Sequence, residues 1–97
     1  AYNAPVSEAI AKRFVVRGRV QGVFFRVNTR GHARVLGLQG WVRNLPDRTV
    51  QVWAQGPTDA VAQLEAWLHI GSPKSRVDAV EGEVVPVDGR CTSFEIT

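Results

Sequence analysis

The 97-residue chain contains one cysteine, Cys91. That excludes an internal disulfide and a cysteine-built zinc site. Histidine is almost as scarce: His32 and His69 fall in separate segments and read as exposed helix residues. Acidic residues are absent from the whole span between Glu8 and Asp47. No carboxylate cluster with the spacing of a Mg²⁺ site exists, so neither a metal nor any other cofactor is expected. No apolar run approaches the roughly 20 residues of a membrane helix, and no membrane partner is expected. Residues 1–12 lack the charged-then-apolar order of a secretory signal, which makes the cytoplasm the expected location. They read as a loose arm over 1–11, ahead of a single domain over 12–97.

A net charge of +3 conceals an uneven distribution. Residues 1–48 carry nine Lys/Arg against two acids, and residues 49–97 carry three against seven. Ten of the twelve basic residues are arginine, the side chain suited to planar and tetrahedral oxyanions. The basic half therefore points to an anionic partner, either a small phosphate or a nucleic-acid backbone.

Periodicity outlines the fold. Lys12 to Val20 alternates, with Phe14 and Val16 opposite Val15 and Arg17, and reads as a strand. From Phe25 the spacing becomes helical through Thr29, Ala33 and Leu36, with Gly37 as a closing residue. Gly31 lies inside this helix and costs about 1 kcal/mol against alanine. Leu38 to Arg43 and Thr49 to Gln55 alternate again and are joined by turn residues, so a hairpin is expected. Val61, Leu64 and Leu68 mark a second helix that begins near Pro57-Thr58 and ends at Gly71. Arg76 to Val85 and Thr92 to Ile96 are strand-like, with a turn signal at Asp88-Gly89 between them. The order β-α-β-β-α-β plus a short last strand predicts an α+β, ferredoxin-like split β-α-β sandwich. Its sheet is antiparallel-rich and carries two helices on one face.

The stretch Gly18-Arg19-Val20-Gln21-Gly22-Val23-Phe24-Phe25-Arg26 lies between the first strand and the first helix. Glycine lets the backbone bend and approach a ligand. The helix start offers unpaired N–H groups and a positive dipole end, and Arg26 adds a two-pronged donor. Together they form an anion site. No Cys, Ser, Thr or His lies between Gly18 and Phe25, which argues against covalent catalysis from the loop. What remains is a water molecule directed at a phosphate that already has a good leaving group, such as the carboxylate of an acyl phosphate. Asn44, at the end of a strand, is the candidate that holds the water.

These residues, followed by Thr29-Arg30, Ala33, Leu36-Gly37-Leu38 and Gly40-Trp41-Val42-Arg43-Asn44, resemble the acylphosphatases over about residues 12–97. The resemblance implies a ferredoxin-like fold and metal-free hydrolysis of a small acyl phosphate to carboxylate and inorganic phosphate. It implies that Arg26 binds the phosphate and that Asn44 orients the attacking water. The backbone amides of Arg19, Val20, Gln21, Gly22, Val23, Phe24 and Phe25 would cradle the oxygens. Two positions depart from the family pattern. Arg48 follows Asp47 where glycine is usual, at a cost of roughly 1 kcal/mol if that position has positive φ. Leu45 stands where many members have threonine. The alternative is a non-catalytic RNA- or anion-binding module, since the same fold class hosts RNA readers. It is disfavoured because the central strand offers only Trp53 as an aromatic platform. A monomer is expected.

Overall fold

The alternation through Phe14 and Val16 becomes β1 (Ala9–Arg19) in a computed structural model that describes residues 9–97. The arm expected over residues 1–11 falls largely outside the described residues. Its last three residues are already strand and lie opposite Pro57, Gly56 and Gln55. The helical spacing that follows forms α1 (Phe25–Val35), which buries Phe25, Thr29 and Ala33 along one stripe. Its end is a Schellman closure. Gly37 adopts φ 73° and donates to the Arg34 carbonyl at 3.1 Å, and Leu38 donates to the Ala33 carbonyl at 2.9 Å.

β2 (Gln39–Asn44) and β3 (Val50–Pro57) form the expected hairpin, in register from Gln39 opposite Gln55 to Asn44 opposite Val50. α2 (Thr58–Ile70) buries Val61, Leu64 and Leu68 and stops at Gly71. β4 (Arg76–Val85) and β5 (Phe94–Ile96) complete the chain. The sheet order is β4-β1-β3-β2-β5, antiparallel except where β5 runs parallel to β2. Phe14, Val16, Val42 and Val52 project from the sheet into one core with Phe25, Ala33, Leu64 and Leu68 of the helices. Burial of each Val, Leu or Phe among them is worth about 1.5–3 kcal/mol. This is the ferredoxin-like plan.

The turn at Asp88-Gly89 does not fold β5 back onto β4, because the two strands lie at opposite edges. Residues 86–93 instead cross the sheet. Gln55 pins the crossing: its amide nitrogen donates to the Asp88 carbonyl at 2.7 Å, and the Asp88 N–H donates to its amide oxygen at 2.8 Å. The crossing brings Ile96 to the β2 edge, beside the start of α1. Among the described residues no helix is long and apolar enough to span a membrane.

Gly31 sits in the second turn of α1, and a Cβ built there meets nothing within 4 Å. Gly31→Ala therefore removes unfolded-state entropy without a clash and is expected to stabilise by about 0.5–1 kcal/mol. Thermal unfolding should show a midpoint raised by about 3–6 °C.

Candidate active site

The stretch between β1 and α1 is shaped by three residues with positive φ. Gly18 (φ 130°) lies within β1, where the register with β4 shifts. A Cβ at Gly18 would stand 2.1 Å from the Arg76 carbonyl oxygen, so this glycine serves strand packing and not ligand approach. Gly22 (φ 74°) has open space around it and is needed for its conformation alone. Phe24 (φ 59°) occupies the same left-handed region immediately before the helix. Val20 and Val23 are buried and hold the loop against the core.

Two side chains fasten the loop. The Gln21 amide nitrogen donates to the carbonyls of Leu45 and Thr49, each at 2.9 Å. The buried Ser72 hydroxyl donates to the Val23 carbonyl at 2.8 Å. The first link joins the loop to the β2–β3 turn, and the second joins it to the segment after α2. The start of α1 has no side-chain cap and no acid in its first turn. Its leading N–H groups and dipole therefore face the loop without a competing carboxylate.

Asn44 is the last residue of β2 and projects to the helix-bearing side of the sheet, as Val42 does. The turn after it is closed by Leu45 N–H to the Thr49 carbonyl at 2.9 Å and by Arg48 N–H to the Leu45 carbonyl at 3.1 Å. Asp47 accepts from the Thr49 hydroxyl at 2.6 Å and from the Thr49 N–H at 3.0 Å. Those bonds, the hydroxyl first, hold the Asp47 carboxyl below its ordinary pKa. Arg48 has φ 73°, the conformation that makes a non-glycine residue costly there by roughly 1 kcal/mol.

Arg26 and Asn44 line one cavity of about 340 Å³. From the loop, Val20, Gly22, Phe24 and Phe25 also line it, whereas Arg19, Gln21 and Val23 do not. Val27 and Ile96 complete the wall. Arg26 is half-buried, and among the described residues no carboxylate pairs with it. The Asn44 Oδ1 is buried and accepts no hydrogen bond from the described residues. An orphaned buried acceptor normally costs about 1–3 kcal/mol, and its place in the same cavity as Arg26 points to a polar ligand. Among the described residues no group of three His, Cys, Asp or Glu side chains converges as a metal site would require. Local sequence reasoning did not reveal the contributions of Ser72, Ile96 and the Gln21 side chain. Each acts across a long separation in the chain that leaves no periodic signal.

The acylphosphatase family model matches residues 12–96. An acylphosphatase from Rubrobacter xylanophilus is 50% identical over 84 residues, 87% of this chain and 76% of the relative. One from Anaeromyxobacter dehalogenans is 46% identical over 94% of this chain and 98% of its own. The solved structure of an acylphosphatase from Coxiella burnetii superposes with a TM-score of 0.90 at 35% identity, covering 94% of this chain and 95% of that one.

Proposed function

The chain belongs to the acylphosphatase family, and we propose that it cleaves the carboxyl–phosphate anhydride by direct attack of one water on phosphorus, without a metal. The observation that carries this mechanism is the pairing of the unsatisfied Asn44 Oδ1 with the Arg26 guanidinium in one cavity. Arg26 and the amides of the loop and helix start, within residues 19–25, take the phosphoryl oxygens. Asn44 accepts a hydrogen bond from the water and turns its lone pair toward phosphorus. The new P–O bond forms as the P–O bond to the acyl group breaks. The electron pair leaves on the carboxylate, and the water's proton passes to a phosphate oxygen. Because a carboxylate is a weak base, its departure needs no general acid. The protein contributes position and preorganised charge.

The substrate is a small-molecule acyl phosphate, and the donor set supports a metal-free reading because no carboxylate among the described residues lines the cavity. The alternative of a nucleic-acid reader depends on the helix-free sheet face. There Trp41 and Trp53 are half-buried, and Arg13 and Arg17 are already paired with Glu83 and Glu81. Two of the basic side chains on that face are thereby neutralised.

Purified protein incubated with benzoyl phosphate should release benzoate and inorganic phosphate at an unchanged rate after exhaustive EDTA treatment. Chelator-sensitive turnover that is restored by a divalent ion would contradict the mechanism.

A further inference from the structure

The cavity has two chemically different parts. Its polar groups are Arg26, Asn44 and main-chain N–H groups, and the reading above assigns these to the phosphate and the water. The remaining wall is apolar, formed by Val20, Phe24, Val27 and Ile96, and among the described residues Arg26 is the only charged side chain lining the cavity. An acyl group leaving the phosphate therefore meets hydrocarbon and no second cation.

Phe24 is poorly explained as a structural residue. The residue is 76% exposed and is absent from the core cluster. Its backbone has φ 59°, which a bulky residue adopts only at a cost that glycine would avoid. Val27, one helical turn further on, is also largely exposed at 49% and lies on the same side of α1. An exposed aromatic held in an unfavourable conformation at the mouth of a cavity indicates a role toward a ligand.

Resting on the acyl phosphate reading, we infer that Phe24, with Val27 and Ile96, forms the subsite for the acyl group and selects aromatic and bulky apolar acyl phosphates over small ones. The ring of an aroyl phosphate would lie edge-on or offset against Phe24, and its far side would lean on Val27 and Ile96. This contact is made in the ground state and the transition state alike, so its loss should appear mainly in KM.

The test is the ratio of kcat/KM for benzoyl phosphate to that for acetyl phosphate, measured for the wild type, Phe24→Gly and Val27→Thr. Phe24→Gly keeps the peptide N–H and removes the ring. It is expected to lower the ratio roughly fivefold through a higher KM for benzoyl phosphate. The same substitution should raise the thermal midpoint by about 3 °C, because the left-handed backbone is relaxed and no buried area is lost. Val27→Thr preserves shape and adds a hydroxyl, and it should lower the ratio about twofold. A ratio that stays within the error of the wild-type value in both variants overturns the inference. So does a Phe24→Gly protein that loses thermal stability, which would make the ring a structural element. An inert wild type would overturn both this inference and the reading beneath it. An active wild type with an unmoved ratio overturns this inference alone.

Discussion

Arg26→Ala should lower kcat/KM for benzoyl phosphate by about 10³-fold or more, on the scale of losing a guanidinium from a phosphoryl-transfer site. The size follows from where the side chain sits. Arg26 is half-buried in the first turn of α1, lines the cavity, and has no carboxylate partner among the described residues. Its charge is thus available to the phosphate. In a partly desolvated site that charge acts in a lower dielectric than water provides. Arg26→Lys keeps the charge but loses the planar fork, and it should recover only a small part of the activity. Because Arg26 has no ion pair to lose, both variants should unfold within about 2 °C of the wild type, since an effect below 0.5 kcal/mol is the norm for such positions. Circular dichroism and a thermal melt beside the kinetics separate a lost site from a lost fold.

Asn44→Ala should lower kcat by about 10²–10³-fold with KM nearly unchanged, the pattern of a contact made in the transition state and not in substrate binding. In the proposed geometry the carboxamide touches the water and leaves the phosphate to Arg26 and the amides. The unpaired Oδ1 adds a second, independent expectation. Among the described residues no group donates to that oxygen, so Asn44→Ala breaks none of its hydrogen bonds within the fold and should unfold within about 2 °C of the wild type. Activity falling while stability holds is the combination expected of a functional residue; a structural asparagine would lose both. Asn44→Asp places a negative charge beside the phosphate and should raise KM as well as lower kcat.

Much of this architecture is local and therefore legible in the sequence. Alternation and helical spacing located every strand and helix to within a few residues. The Gly22 turn, the Arg26 position and the end of β2 at Asn44 follow from short-range patterns. The chain membership that supports acyl phosphate hydrolysis is equally local, carried by Gly18 to Arg26 and Gly40 to Asn44. What the sequence does not reveal depends on long-range pairing. The passage of residues 86–93 across the sheet depends on Gln55 meeting Asp88, which no periodicity encodes. The role of Gly18 became clear only with β4 alongside, where the Arg76 carbonyl fills the space of a Cβ. Gln21 lies in the middle of the stretch between β1 and α1, yet its side chain serves the β2–β3 turn 24 and 28 residues away. That link keeps Asn44 and the loop at a constant separation, which a positional mechanism requires.

The most direct measurement is a crystal structure with inorganic phosphate bound, the product that occupies the phosphoryl position. The anion should lie in the cavity between Val20 and Asn44. Its oxygens should be within hydrogen-bond distance of the Arg26 guanidinium and the main-chain N–H groups near Gly22 to Phe25, with a water between Asn44 Oδ1 and phosphorus. A phosphate bound outside this cavity, an Arg26 side chain turned away from the anion, or an Asn44 carboxamide engaged elsewhere would contradict it.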